Sequence, residues 1–325
     1  MLWRIHMFRW AVCGLGRISH RWVKVANGIP DMKVIAAVSS SKSRAEDYKK
    51  RYEMDYALTY EELAKTPSIV DAVYVATNMS GHQKTVEMFL KAGIPVLCEK
   101  SFALNTKQAK SMIDTAKRKN VLLMEAMWCR VLPANRYIDQ IMKEKKYGNI
   151  ISASADFKAG WGHGPKSRVW KKDVGGGSVL DLAVYLVHYS QMLMGKPKRV
   201  IVTGKIKNEV DISSDIIFEY NNNVKFDLHS SLQFPWISDT FKIYCEKGNV
   251  IIPSFYGANK VIEKPFSGKK IIKKFEKIDG FTYEIAHFAE LVRSKKKESY
   301  ILPLSVTYEV MELLEEINHQ LGVTF

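Results

Sequence analysis

Residues 10–18 read Trp-Ala-Val-Cys-Gly-Leu-Gly-Arg-Ile, an apolar run that leads into two glycines one residue apart. The run predicts a buried strand over Phe8–Cys13, and the pattern that follows predicts a helix over Arg17–Asn27. A strand, a glycine turn and a helix present bare backbone N–H groups and a helix N-terminus to a pyrophosphate. The alternative is a tight turn that needs glycine only for its backbone angles. We expect a dinucleotide to bind, with Ser19 in the third glycine position, at Gly14, Leu15, Gly16, Arg17 and Ile18.

The first 125 residues continue this alternation of strand and helix. Apolar runs predict further strands at residues 33–38, 72–76, 96–98 and 121–124. Helical patterns lie between them at residues 43–52, 60–65, 83–92 and 106–119. Near-continuous apolar strands separated by helices are typical of a parallel sheet buried on both faces. We therefore predict an α/β fold whose N-terminal domain, residues 1–125, is a doubly wound Rossmann sheet.

The pattern of predicted elements changes from about residue 149. A glycine run at 175–177 precedes a predicted helix over residues 179–194. Strand-like runs dominate on either side of it. They lie at residues 150–158 before the glycine run, and at 199–206, 215–220, 224–232, 240–245, 250–252 and 270–275 after the helix. Turn residues at 221–223 and 247–249 are typical of hairpins. The pattern predicts a C-terminal α+β domain, residues 126–325, with an open, mainly antiparallel sheet, and its last helices, at 283–294 and 304–321, could pack back on the first domain.

Composition excludes several classes of protein. The formal net charge of +15 comes from dispersed lysines at predicted helix ends, which argues against a nucleic-acid partner. No apolar run is long enough for a membrane span, and the N-terminus has no secretory h-region. The four cysteines are widely spaced, with no zinc pattern, so we expect no metal and reduced thiols in the cytoplasm.

The end of the second strand predicts which dinucleotide binds. NAD enzymes place a carboxylate there for the ribose hydroxyls. Here the strand ends in Ser-Ser-Ser-Lys-Ser-Arg, and the first carboxylate is Glu46. Hydroxyls and cations suit a 2′-phosphate, so NADP(H) is favoured over NAD(H), although Ser43 and Arg44 could simply begin a helix. The residues predicted to hold the phosphate are Ser39, Ser40, Lys42 and Arg44.

Polar residues that follow the later strands predict the reacting end of the site. Thr77, Asn78 and His82 come after the strand at 72–76, and Glu99 and Lys100 come after the next. Ligands of open α/β sheets lie at this carboxyl edge. A structural ion pair is the alternative for Glu99 and Lys100.

A second set of polar residues lies on the predicted helix at 179–194. Asp181, Tyr185 and His188 are spaced i, i+4 and i+7, which places them on one helical face. Each could be an ordinary buried hydrogen-bonding residue. Together with Lys100 they favour an active site.

The chain resembles the glucose–fructose oxidoreductase/inositol dehydrogenase/rhizopine-catabolism (Gfo/Idh/MocA) oxidoreductases from about residue 8 onward. The matching motifs are Gly14-x-Gly16-Arg17-Ile18, Ala76-Thr77-Asn78 with His82, Cys98-Glu99-Lys100, Gly175-Gly176-Gly177 with Asp181, and Glu284-Ile285-x-His287-Phe288 before Pro303-Leu304. Residues 125–130 and Tyr185 are most similar to the dimeric dihydrodiol and NADP-linked xylose dehydrogenases. The resemblance implies hydride transfer between NADP and a carbinol or hemiacetal carbon of a sugar, polyol or cyclic trans-diol.

The resemblance also implies roles for individual residues. Lys100 contacts the cofactor and the reacting hydroxyl, Asp181 and Tyr185 form the acid–base helix, and the residues near the nicotinamide and its phosphates are Trp128, Arg130 and Trp170. A free tyrosine titrates near pKa ~10, and the Lys100 ammonium would favour its phenolate form. The chain departs from the family pattern at Ser101, where proline is usual, and at Lys171, where arginine is frequent.

Two alternative functions and an assembly stay open at this point. One alternative is an NAD-dependent inositol-type dehydrogenase, and the other is a non-catalytic NADP-binding regulator of the same fold. Substrate specificity is expected to depend on the loop at residues 159–172. Association through the C-terminal sheet predicts a homodimer or homotetramer.

Overall fold

The computed structural model describes residues 7–160, 164 and 167–325. Its first sheet has six parallel strands in the order β3-β2-β1-β4-β5-β6. The strands are β1 (Phe8–Cys13), β2 (Met32–Val38), β3 (Tyr56–Leu58), β4 (Ala72–Val75), β5 (Val96–Glu99) and β6 (Leu123–Ala126). The chain reverses direction across the sheet between β1 and β4, so ligands are expected at the carboxyl ends of these two strands.

The helices of this region connect successive parallel strands. They are α1 (Arg17–Asn27), α2 (Lys42–Tyr52), α3 (Tyr60–Lys65), α4 (Met79–Lys91) and α5 (Thr106–Lys119). The doubly wound fold predicted from strand and helix alternation is confirmed. The sequence analysis missed the short strand β3, which has a single buried residue, Ala57.

The second sheet has eight strands in the order β14-β13-β12-β11-β7-β10-β9-β8. They are β7 (Ile150–Lys158), β8 (Arg199–Lys207), β9 (Val210–Glu219), β10 (Lys225–Ser231), β11 (Phe241–Cys245), β12 (Gly248–Ile252), β13 (Lys260–Pro265) and β14 (Ile271–Lys274). The β7–β10 pair is parallel and all others are antiparallel, which confirms a mainly antiparallel sheet. The predictions missed β13 and began β9 five residues too late, because polar residues at 211, 213 and 214 interrupt its apolar pattern.

The remaining helices are α6 (Pro133–Lys143), α7 (Val184–Met194), α8 (Gly280–Arg293) and α9 (Leu304–Gln320). The single regular helix predicted over 179–194 is wrong in its first part. Residues Val179–Ala183 form a π-helical segment that continues into α7. Such π segments occur frequently at functional sites, and periodicity does not reveal them.

The chain divides into two compact units. The first unit comprises the described residues up to Ala126 together with Phe281–Thr307, and the second comprises the described part of Met127–Gly280 together with Tyr308–Phe325. Within the first unit α8 packs on the sheet, because the Phe288 ring lies 5.4 Å from that of Trp10. Arg293 also forms a 2.7 Å ion pair with Asp31. The first unit therefore contains a helix that follows the whole second sheet in sequence.

Candidate active site

The glycine turn between β1 and α1 requires glycine at one position and leaves open space at the next. Gly14 has a φ of +92°, and a Cβ there would overlap the Ala76 carbonyl at the end of β4. A Cβ at Gly16 would meet no described atom within 4 Å. Gly14 thus lets β1 and β4 approach closely, while Gly16 leaves the helix N-terminus accessible to an anion.

Ser19 replaces the third glycine with a buried hydroxyl that has two partners. Its Oγ donates to the Gly16 carbonyl at 2.7 Å and accepts from the Tyr48 hydroxyl of α2 at 3.0 Å. The side chain therefore joins α1 to α2 where a glycine would only allow close packing. Tyr48 was not singled out from the sequence, because it lies far from the motif along the chain.

The polar residues at the end of β2 differ in their burial and in their partners. Ser39 is buried, and its Oγ accepts from the Ser41 backbone N–H, whereas Ser40 is exposed. Lys42 forms a 2.6 Å ion pair with Glu62. Arg44 is exposed and has no ion pair within the part of the chain that the structure describes. The N-cap of α2 is Ser41 rather than Ser43, so Arg44 lies in the first turn of that helix.

The loop after β4 contains a buried hydroxyl and a buried imidazole. Thr77 Oγ1 is buried and has no hydrogen-bond partner among the described residues. His82 lies inside α4, which begins at Met79, and its ring nitrogens are each 3.2 Å from a carbonyl oxygen, that of Thr77 and that of Phe102. His82 therefore joins the loop after β4 to the loop after β5. Its predicted contact with the nicotinamide stays a prediction, as does that of the exposed Asn78.

The carboxyl end of β5 carries Glu99 and Lys100. Glu99 accepts hydrogen bonds from the Tyr74 hydroxyl and from the Lys100 backbone N–H. Tyr74 itself stacks on Trp22 of α1, with ring centroids 4.2 Å apart. Ser101, which follows, is fully buried, and the Lys100–Ser101 peptide bond is cis. Glu99 thus contacts the residue whose ammonium the family resemblance assigns to the reaction.

In the second unit, Asp181 and Tyr185 lie within and just after the π-helical segment. Asp181 is 7% exposed, and its Oδ1 accepts from the Arg168 guanidinium at 2.6 Å. Tyr185 is 9% exposed. Arg168 was not predicted from the sequence, although it lies three residues before Lys171, at which the chain lacks the family's frequent arginine.

An aromatic wall, formed by Trp128, Phe157 and Tyr256, lies beside the Tyr185 ring in the second unit. The Tyr185 ring centroid lies 5.4 Å from that of Phe157 and 5.9 Å from that of Tyr256. Tyr256 lies 6.1 Å from Trp128. Phe157 and Tyr256 come from β7 and from the turn Phe255–Gly257, and no local sequence pattern distinguishes them from core aromatics.

Comparison with known proteins identifies the family. The chain is 30% identical over 330 residues to the trans-1,2-dihydrobenzene-1,2-diol dehydrogenase of Homo sapiens, covering 98% of each protein. A family model described as "Oxidoreductase family, NAD-binding Rossmann fold" matches residues 8–127, and the GFO/IDH/MocA C-terminal domain matches residues 135–251. The chain belongs to the GFO/IDH/MocA oxidoreductase family. It is therefore an oxidoreductase of an NAD(P)-dependent family.

Solved structures of GFO/IDH/MocA proteins have the same fold. The aldose-aldose oxidoreductase of Caulobacter crescentus superposes with a TM-score of 0.87 at 19% identity and 97% coverage of both chains. A 3-ketoreductase of Actinomadura kijaniata, solved with NADP and TDP-benzene, gives 0.84 at 21% identity and covers 98% of this chain and 99% of its own. At these identities the likeness establishes the fold of this GFO/IDH/MocA member.

The first unit of this GFO/IDH/MocA chain has features that fit a dinucleotide. The open space at Gly16 would accommodate a group close to the backbone, and the Thr77 hydroxyl is buried with a free hydrogen-bonding capacity within the described residues. Gly16 and Asn78, the N-cap residues of α1 and α4, make no side-chain capping bond in the described structure. The helices thus have amide groups available for phosphate oxygens.

Two predicted cofactor residues of this GFO/IDH/MocA chain lie in the second unit with protein partners. Arg130 is buried, and its Nη1 donates to the His188 carbonyl at 2.7 Å and to Gln191 at 3.0 Å. Trp170 Nε1 donates to the Gly164 carbonyl at 3.1 Å. Their contacts with a cofactor stay predictions, and five positions of the expected specificity loop at 159–172 lie outside the described residues.

Other features of the family member concern metals, thiols and membranes. All four cysteines are buried free thiols, as predicted for Cys13 and Cys98, and burial raises the pKa of both. Over the described ranges, no His, Cys, Asp and Glu group of three or more could hold a metal ion. Within those ranges no helix is long and apolar enough to cross a bilayer.

Proposed function

We propose that this oxidoreductase uses NADP(H) and transfers a hydride to or from a secondary alcohol or hemiacetal carbon of a sugar, polyol or cyclic trans-diol. The observation that carries the substrate class is Tyr185, a phenol at the aromatic wall and one helical turn from the paired carboxylate of Asp181. The human relative named for a trans-diol supports a ring-borne diol as substrate.

The preference for NADP rests on the end of β2. Hydroxyls and cations occupy the positions where an NAD enzyme presents a carboxylate. Arg44 is expected to contribute most to binding the 2′-phosphate, because Lys42 already forms an ion pair with Glu62. A guanidinium offers forked donors that match phosphate oxygens. The glycine turn, Thr77 and Glu99 would hold the rest of the dinucleotide.

When bound, the nicotinamide supplies the hydride acceptor or donor. The protein has to move a proton between the substrate hydroxyl and a base, and we assign this role to the Tyr185 hydroxyl. The contact with Phe157 and Tyr256 holds the ring of Tyr185 in place. Lys100, which follows β5 beside Glu99, is assigned the role of contacting the cofactor and the reacting hydroxyl.

Asp181 is assigned the role of orienting the substrate hydroxyl. Its ion pair with Arg168 restricts the position of the carboxylate. The mostly apolar aromatic wall favours a ring-shaped substrate, because aromatic rings pack on apolar ring faces. Arg168 thus places a guanidinium beside Asp181, three residues before Lys171, the position at which the family frequently has arginine.

The test measures reduction of NADP and of NAD in parallel by absorbance, with xylose, glucose, inositols and a cyclic trans-diol. Turnover with NADP on a sugar or diol supports the proposal. Turnover on inositols with NAD alone would instead favour an inositol-type dehydrogenase. Saturable NADPH binding without turnover on any of these alcohols would favour a cofactor-binding regulator.

Self-association through the second sheet is part of the same proposal. Cross-strand isoleucine pairs, Ile201 with Ile217 and Ile251 with Ile262, are half-exposed in the single chain. Covering such side chains is favourable, and a symmetric pair of sheets would do so. Light scattering after size exclusion measures the mass directly. A monomer at micromolar concentration would contradict the homodimer or homotetramer.

A further inference from the structure

A buried carboxylate, Asp211 at the start of β9, lies against the beginning of the π-helical segment. It is fully buried, and its Oδ2 accepts from the Val179 backbone N–H at 2.9 Å and from Ser214 Oγ at 3.0 Å. Asp211 therefore satisfies one amide group at the N-terminal end of the helix that carries Asp181 and Tyr185, where a negative charge is also favourable.

The glycine run before the helix is shaped around this carboxylate. Gly177 has a φ of +110°, and a Cβ there would overlap Asp211 Oδ1. Gly176 faces the chain around Arg168, since a Cβ there would lie within 3 Å of the Val169, Lys171 and Arg168 carbonyl oxygens. The two glycines thus let β9 approach one side of the helix start and the Arg168 segment approach another.

A second buried contact connects the helix start to the sheet. Ser178 and Ser230 of β10 share a 2.7 Å hydrogen bond between their hydroxyls. The helix start is therefore bonded to two neighbouring strands, β9 and β10, which are themselves paired in register. Asp211 supplies the charged member of this set and accepts from the Val179 backbone amide.

We infer that Asp211 is a positioning residue for the reaction, which fixes the π-helical segment so that Asp181 and Tyr185 keep the orientation that proton transfer needs. This inference rests on the proposed function for its kinetic part. Asp181 lies two residues after Val179, the amide that Asp211 holds. A shift of the first turn therefore changes the position of the Asp181 carboxylate directly, and the Arg168 ion pair with it.

Kinetics of Asp211→Ala and Asp211→Asn provide the first test. Alanine removes the acceptor, and asparagine keeps an oxygen that can accept from Val179. We expect kcat of Asp211→Ala to fall ~10- to 100-fold, the scale of an ångström-sized misplacement, with KM and the NADPH dissociation constant within ~3-fold of wild type. Asparagine should restore kcat to within ~3-fold. An unchanged kcat in Asp211→Ala, or an equal loss in Asp211→Asn, would overturn the positioning role.

Hydrogen exchange of the amides at residues 178–185 is the second readout. We expect exchange to accelerate ~10-fold or more in Asp211→Ala and to stay near wild type in Asp211→Asn, because local opening sets the exchange rate. Equal protection in all three proteins would overturn the inference. This readout needs no turnover, so an inactive wild type would contradict the proposed function while the exchange still tests Asp211.

Glu263→Gln is the matched control. Glu263, on β13, is another fully buried carboxylate of the second unit. Its oxygens accept hydrogen bonds from Lys146, Tyr137 and Tyr147. We expect this variant to lose thermal stability without any change in kcat. A similar loss of kcat in Glu263→Gln would mean that general destabilisation explains the kinetics of Asp211→Ala. If Asp211→Ala is insoluble, Asp211→Ser replaces it, because its hydroxyl ends one bond short of the Oδ2 position.

Discussion

The glycine turn of the first unit and the helix of Asp181 and Tyr185 in the second are built in opposite ways. The turn relies on backbone, with Gly14 and Gly16 contributing by having no side chain. The helix relies on side chains from separated segments, namely Asp181 with Arg168, Tyr185 with Phe157 and Tyr256, and a start held by Asp211. A backbone site needs a short contiguous motif, whereas this side-chain site needs β7, β9 and the turn Phe255–Gly257 to be brought together.

Replacing Tyr185 by phenylalanine gives the largest expected effect and tests the side-chain half of this comparison. The substitution removes the hydroxyl and keeps the ring contacts with Phe157 and Tyr256. We expect kcat to fall 10²- to 10⁴-fold, roughly the contribution of general acid–base catalysis, with unchanged NADPH binding. Tyr189→Phe is the control, because Tyr189 is buried on the same helix and its hydroxyl bonds to Asn135. Comparable kcat in the two variants would break the assignment of Tyr185.

Gly14→Ala tests the backbone half. The positive φ and the overlap with Ala76 predict a loss of about 3 kcal/mol in the free energy of unfolding of the first unit, and weaker NADPH binding. Gly16→Ala should lower stability by at most ~1 kcal/mol, since its Cβ meets open space and only the N-cap preference for glycine over alanine is lost, yet should weaken NADPH binding. Urea unfolding and NADPH fluorescence titration measure both. Full NADPH affinity in Gly16→Ala would show that this space is not used.

The raised pKa of Asp211 predicts how the free energy of unfolding changes with pH. Burial raises the pKa of Asp211 to about 6 from 3.8, against the lowering effect of hydrogen bonds from Ser214 and Val179. The folded state then binds the proton more tightly than the unfolded state. The contribution of Asp211 to the free energy of unfolding of the wild type therefore decreases as pH rises from 4 to above 6, because the unfolded state ionises first. Relative to wild type, Asp211→Asn should therefore gain up to about 3 kcal/mol over this range.

The difference between the two proteins is the quantity to measure, by thermal unfolding at pH 4.5, 5.5, 6.5 and 7.5. Taking the difference cancels titration of the groups that they share. A flat difference across these pH values would mean that the carboxyl group titrates alike in the folded and unfolded states.

Arg44→Ala has the smallest expected effect and sharpens the comparison at the edge of the first unit. Loss of one guanidinium from the 2′-phosphate should weaken NADP binding about 10-fold and leave NAD binding unchanged. Lys42→Ala is the control, and we expect a smaller change because Lys42 already pairs with Glu62. Titrations with both dinucleotides measure the ratio of the NADP and NAD dissociation constants in each variant. Equal losses for NADP and NAD in Arg44→Ala would contradict a 2′-phosphate contact.

Sequence patterns predicted the elements that form by local rules. The bounds of β1 and α1 agree with the structure residue for residue, because an apolar run, two glycines and an amphipathic helix are contiguous. The same reasoning overlooked β3 and began β9 too late. In β9 the polar residues Asp211 and Ser214 face inward toward the helix start, so burial there does not follow apolarity.

The position of His82 shows a related limit. Sequence analysis treated it as a residue at the start of a helix that could face a ligand, whereas its ring lies between the Thr77 and Phe102 carbonyls. Phe102 follows a different strand, so no spacing within one element could have predicted that contact. Arg168, Phe157 and Tyr256 were missed for the same reason.

The local order of residues is enough to specify the doubly wound half of this oxidoreductase, the glycine turn and the spacing of Asp181 and Tyr185. Backbone angles and periodic burial depend on neighbours a few residues apart, and these the chain itself displays. Only the folded second unit specifies the π-helical start, the Arg168 pair, the aromatic wall and the buried Asp211. These features depend on hydrogen bonds and ring contacts between segments far apart in the chain, which form when the sheet brings them together.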